Sequence, residues 1–148
     1  PETYTHIRNS SLVAFGIVSR FLREKGLIAV DTKTEHGINH LGKIVSQDEI
    51  WTMDSSRFWL LHDYTEQLRK LGNEEITELN PKSFSKEFAR GLSKGKEGYT
   101  DEQRVAIAMR YVEGIQHLTG KRFDPDTSPH NERVVSGIEK IIEQLVQT

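Results

Sequence analysis

No cysteine occurs in the 148 residues, which excludes disulfides, thiolate nucleophiles and cysteine-ligated metals together. That lack fits a reducing, intracellular compartment, and the expected location is the cytoplasm. No charge of one sign dominates either: 20 Lys and Arg face 22 Asp and Glu, the net charge is −2, and no block of five residues is uniformly basic. Nucleic acid and anionic membrane surfaces are therefore not expected as partners, whereas small anions, which need only local charge, remain open. No apolar run approaches the roughly 20 residues of a membrane span, and the start carries no signal-peptide core. Internal repeats and low-complexity tracts are absent. The six histidines include no pair at i and i+4 on a convincing helix, so His36, His40 and His62 do not suggest a zinc site. The chain opens at Pro1, without an initiator Met, and runs directly into a helical pattern, which suggests a cut or processed start.

What is present suffices for one ordinary core, with 35% hydrophobic residues, and a single domain over residues 1–148 is expected. From Glu2 to Lys25, the residues Tyr4, Ile7, Leu12, Phe15, Val18, Phe21 and Leu22 recur near every 3.6 positions, an amphipathic helix that Gly26 is placed to end. "LIAVDTKTEHG" and "GKIVSQDEIWTM" read as two strands joined by the turn-prone "INHLG", a hairpin. Asp54 to Asn80 mixes aromatics and charges, with a short helix around Thr65 to Leu71. Asn80-Pro81 punctuates the chain before a helix from about Ser83 to Leu92, and "SKGKEGY" reads as a flexible loop. Thr100 with Gln103 forms a capping box for a helix carrying Val105, Ala108, Val112 and Ile115 and ending at Gly120. Ser128-Pro129 opens a last helix with Val134, Val135, Ile138, Ile141, Ile142 and Leu145 on its apolar face. The fold class is α+β, a small antiparallel sheet with packed helices.

The first expected strand carries an unusual row. Side chains alternate faces along a strand, so Asp31, Lys33 and Glu35 share one face, and a returning second strand brings Asp48 near Asp31 or Lys33, about 5 Å across the ladder or 7 to 8 Å on the diagonal. Three carboxylates then surround one lysine. Hard divalent ions such as Mg²⁺ take one or two carboxylates together with phosphate oxygens and water, which suits Glu35 and Asp48, and Lys33 between them suits a phosphate. The same spacing also fits a solvated strand face with cross-strand ion pairs. In "TMDSSRFW", the hydroxyls of Ser55 and Ser56 beside Arg57 suit capture of a phosphate or carboxylate; a serine turn with a surface arginine is the alternative. Lys86 and Arg90 lie one turn apart and share a helix face, as substrate-side cations or as a plain solvated surface.

Taken in order, "GLIAVDTKTEHG", "DEIWTMDSSRFW" and "KSFSKEFAR" resemble three motifs from the C-terminal half of the phosphoribosylaminoimidazole-succinocarboxamide synthase (SAICAR synthetase) family of purine biosynthesis. The family signature runs hydrophobic pair, Asp, any residue, Lys, hydrophobic, Glu, Phe, Gly, and this chain keeps Asp31, Lys33, Glu35 and Gly37. Thr34 stands where a larger apolar residue is usual and His36 where Phe is usual, departures that touch local packing more than charge. "RYVEGIQHLTGKRF" resembles the family's late helix, so the likeness runs from Tyr4 to about Phe123.

The resemblance implies a C-terminal, ATP-grasp-like, metal- and substrate-binding domain, without the N-terminal nucleotide-loop domain of the family. It implies a ligase that couples ATP hydrolysis to amide formation between carboxyaminoimidazole ribonucleotide and L-aspartate through a phosphorylated carboxylate. By the same resemblance, Glu35 and Asp48 hold Mg²⁺ on ATP, Lys33 contacts the transferred phosphoryl group, and Asp31 orients the imidazole. Ser55, Ser56 and Arg57, with Lys86 and Arg90 alongside, hold anionic parts of the substrates. The implied partners are these substrates and the N-terminal half of the synthetase, with a homo-oligomer left open. A non-catalytic relative that keeps the fold, and a different ATP-dependent carboxylate–amine ligase, are the competing readings.

Overall fold

The computed structural model describes residues 2–93 and 98–146. Most of the loop expected at "SKGKEGY" lies outside the described residues. The opening helix forms as its periodicity requires: α1 spans Glu2–Glu24, and Gly26 takes the left-handed conformation (φ 72°) that turns the chain into β1, Leu27–Thr32. Leu22 at the end of α1 and Leu27 at the start of β1 are both fully buried, so the turn pins helix to sheet.

The strand expected from Leu27 to Gly37 is two strands. It breaks at Lys33 and Thr34 into β1 and β2 (Glu35–Ile38), which belong to different sheets. β2 pairs antiparallel with β3 (Ile44–Gln47), Glu35 opposite Gln47 and Ile38 opposite Ile44. This is the expected hairpin in shortened form. Its loop is fastened by Asn39, whose Oδ1 accepts from the amides of Leu41 and Lys43, both at 3.0 Å, and by Gly42 at φ 70°. The second strand was expected to run to Met53, but it ends at Gln47 because Asp48 and Trp51 adopt positive φ and leave the ladder.

β1 instead pairs antiparallel with β4 (Ser56–Leu60), and β4 with β5 (Ser83–Phe84), giving the order β1-β4-β5. β4 has the period-two signature of a half-buried strand: Ser56 and Phe58 are buried while Arg57 between them is exposed. It runs straight into α2, Leu61–Gly72, longer than the helix expected around Thr65 to Leu71. The helix expected from Ser83 gives its first residues to β5, and α3 covers Lys86–Ser93.

α4 spans Asp101–Thr119 with both halves of the Thr100/Gln103 capping box formed and Gly120 as a left-handed C-cap. Val105 and Ile115 are exposed, and the helix meets the core through Tyr111, Gly114 and Leu118, an i, i+3, i+7 stripe. Gly114 allows this approach, since a Cβ there would lie 2.4 Å from Met53 Sδ and 3.2 Å from Phe84 Cδ1. The core is Leu22, Leu27, Met53, Phe58 and Phe84. α5, His130–Val146, begins just after Pro129 as expected, but among the described residues it packs against no other element to a substantial extent, and its stripe Val134, Val135, Ile138, Ile141 and Ile142 stays exposed. No described helix is long and apolar enough to cross a membrane.

Candidate functional site

The end of β1, the turn entering β4 and the start of α3 surround a cleft of about 560 Å³. Each wall has a local cause. The turn is tied by Thr52, whose Oγ1 accepts from the amides of Asp54 (3.2 Å) and Ser55 (3.1 Å) and donates to Glu49 Oε2 (2.5 Å). The Ser55 carbonyl receives the Lys33 amide (2.8 Å), which fixes the turn to the end of β1. Ser56, buried, bonds through Oγ to Thr32 Oγ1 at 2.8 Å across the ladder. The Lys86 amide donates to the Met53 carbonyl (3.1 Å), and this bond sets the first turn of α3 beside the same loop.

Register places Asp31 opposite Arg57. Arg57 Nε reaches both carboxylate oxygens, at 2.9 and 3.1 Å, and NH2 bonds Oδ2 as well. Hydrogen bonding from Arg57 holds the Asp31 carboxyl below its ordinary range, and the same bond raises Arg57. Lys33 pairs with Glu35. That hydrogen bond and the Glu35 charge push the Lys33 ammonium upward, with further contributions from the charges of Asp48 and Glu49.

Of the residues singled out from sequence, one cleft gathers Asp31 and Lys33 from β1, Ser55, Ser56 and Arg57 from the turn and β4, and Lys86 and Arg90 from α3. Glu35 and Asp48 lie outside its lining. The expected cluster of three carboxylates around Lys33 changes membership: Asp31 turns to Arg57, because the two are register partners, and the acids acting on Lys33 are Glu35, Asp48 and Glu49. Among the described residues, no three carboxylates or imidazoles form a closed metal cage.

The cleft also holds Thr32, Asp54, Ser85 and Glu87, none of which was a sequence-based candidate. Asp54 stood inside the quoted "MDSSR" run and was within reach of sequence reasoning. Ser85 and Thr32 were not, because long-range strand pairing brings them there. Four cations (Lys33, Arg57, Lys86, Arg90) face three carboxylates (Asp31, Asp54, Glu87) among several hydroxyls. Such a lining suits a polyanionic ligand that also carries donor groups.

The sequence profile of the SAICAR synthetase family matches residues 1–106. The chain belongs to the SAICAR synthetase family. Phosphoribosylaminoimidazole-succinocarboxamide synthase of Bacteroides fragilis is 35% identical over 93% of the chain and 45% of its own length. The enzyme of that name from Legionella pneumophila (strain Paris) is 36% identical over 80% of the chain and 39% of its own length. The solved SAICAR synthase of Saccharomyces cerevisiae complexed with SAICAR superposes with TM-score 0.65 at 25% identity, covering 84% of this chain and 41% of that one. A type-2 SAICAR synthetase in complex with ADP superposes with TM-score 0.58, also at 25% identity, over the same shares. The small α+β fold with short antiparallel sheets is thus that of the family's solved structures, and the chain spans under half the length of these relatives.

Proposed function

We propose that this chain forms the metal- and substrate-binding half of an ATP-dependent ligase that joins the carboxylate of carboxyaminoimidazole ribonucleotide to the amine of L-aspartate, giving SAICAR, ADP and phosphate. The observation that carries this reading is the single cleft into which three separated sequence motifs deliver Asp31 and Lys33, Ser55 to Arg57, and Lys86 with Arg90. In this reading the fold is the C-terminal, ATP-grasp-like domain, and the nucleotide is enclosed between it and an N-terminal nucleotide-loop domain.

Each residue then has a chemical task. Ser55 and Ser56 donate to anionic oxygens, while Lys86 and Arg90, on one face of α3, neutralise them. Asp31, oriented by Arg57, accepts from donor groups on the imidazole, and the guanidinium edge not used by Asp31 remains for a carboxylate or phosphate. Lys33 stands at the cleft edge between the substrate side and the acids Glu35, Asp48 and Glu49, where it meets the transferred phosphoryl group. Glu35 and Asp48, whose charges both act on Lys33, would hold Mg²⁺, and when bound the ion would supply charge neutralisation at phosphate oxygens. Excluding water around the phosphorylated carboxylate protects it from hydrolysis, and one wall cannot do this alone.

A coupled ADP-release assay with ATP, the ribonucleotide and L-aspartate tests the reading. The chain alone should show no turnover, and addition of the N-terminal half of the Bacteroides fragilis relative should produce it. Full substrate-dependent turnover from the chain alone would overturn the half-site assignment. A silent mixture, together with SAICAR that perturbs no cleft residue, would overturn the substrate assignment.

A further inference from the structure

Asp54 reaches the cleft from a turn, the least constrained kind of backbone, yet it is held from outside the cleft. Tyr111, on the core-facing stripe of α4, donates its phenol hydrogen to Asp54 Oδ1 across 57 positions of sequence. Asp54 Oδ2 has no protein hydrogen-bond partner among the described residues. One helical turn further along α4, Gly114 lies against Met53, the residue preceding Asp54. α4 therefore grips two consecutive residues of the turn, one by a hydrogen bond and one by close packing. The Met53 carbonyl also carries the Lys86 amide, so the grip extends to the start of α3.

We infer that Tyr111 is a positioning residue of the cleft: it fixes the Asp54 carboxylate in one rotamer, so that Oδ1 is occupied and Oδ2 is presented to a donor group on the bound ligand, an amine or hydroxyl. The inference rests on the reading of the cleft as the SAICAR-side substrate site. The physical basis is loss of freedom. An aspartate on an exposed turn samples several rotamers, and a ligand that needs one of them loses affinity in proportion to the fraction of time that rotamer is absent. The phenol is suited to the task because burial, reinforced by the bond to Asp54, pushes its pKa up to about 12. It remains a donor across the whole physiological range.

The test uses the full chain, with SAICAR itself as the probe, and reads backbone amide shifts in a titration of wild type, Tyr111→Phe, Asp54→Asn and the double variant. Tyr111→Phe should weaken SAICAR binding roughly three- to tenfold, the loss of one ordering hydrogen bond. In the Asp54→Asn background the same substitution should change binding by less than about twofold, because the acceptor oxygen presented to the ligand is replaced by an amide NH2 that only donates. Additive losses, or no loss in Tyr111→Phe, would overturn the inference. Ultraviolet titration of tyrosine gives an arm that needs no ligand. The highest tyrosine transition should vanish in Tyr111→Phe and move to lower pH in Asp54→Asn. If Asp54→Asn leaves it in place, the coupling does not exist and the inference fails. If the transition moves but SAICAR does not bind wild type, the reading of the cleft fails while the coupling stands.

Discussion

Arg57 has two possible occupants, and the structure shows one of them. Its fork lies on Asp31 with both residues about half exposed, so the pair adds little to stability, at most about 1 kcal/mol. In the proposed function its value lies in orienting a bound substrate. Arg57→Lys keeps the charge but replaces a two-point contact with a point charge, and SAICAR binding should weaken by about 1 to 3 kcal/mol, read by calorimetric titration, with the fold intact. An unchanged affinity would return Arg57 to an ordinary surface ion pair. The pair also sets a pH dependence of known sign. The folded Asp31 carboxyl is lowered from its ordinary 3.8, so its stabilisation is present above that pH and is lost as pH falls through the folded value. Urea midpoints of wild type and Asp31→Asn should differ slightly above pH 4 and converge below it.

The elements divide by how local their causes are. The Thr100 capping box, the Gly120 cap and the Gly26 turn were all legible in sequence, because each depends on residues within four positions. The sheet was not. Whether Leu27–Gly37 continues as one strand is decided by Arg57 and Ser56, which lie about 25 positions away and claim Asp31 and Thr32 as partners. The candidate site was mostly legible, since Asp31, Lys33, Ser55, Ser56, Arg57, Lys86 and Arg90 do share a cleft. The detail that differs, Asp31 among the acids around Lys33, followed from reading one strand where there are two: Asp48 does act on Lys33, while Asp31 pairs with Arg57 in the other sheet. Helix packing gives the sharper test at this scale. Gly114→Ala gains helix propensity of about 1 kcal/mol, but its Cβ collides with Met53 and Phe84. Overpacking costs about 1 to 3 kcal/mol, so once the propensity gain is subtracted the net should be a destabilisation of up to about 2 kcal/mol by urea unfolding. Gly16→Ala, in α1 with open space around it, should shift stability the opposite way.

Across the whole molecule, stability is unevenly shared. α1, the β1-β4-β5 sheet and α4 close on a core that among the described residues has five buried side chains, whereas α5 follows a fully exposed linker and buries none of its residues. A 17-residue helix with so little tertiary packing among the described residues is marginal in water. The β-branched Val134, Val135, Ile138, Ile141 and Ile142 weaken it further, because they lose side-chain freedom in a helix. Hydrogen exchange on dilute chain should therefore show α5 amides exchanging orders of magnitude faster than those of β4 and the middle of α4. A chain ending before His130 should melt within about 2 °C of the full one, since little burial is lost. Rising protection of α5 with protein concentration would mean that its apolar stripe is covered by association, as a contiguous exposed apolar face favours. Protection of α5 equal to that of β4 at high dilution would contradict the arrangement itself, because only burial against the same chain survives dilution.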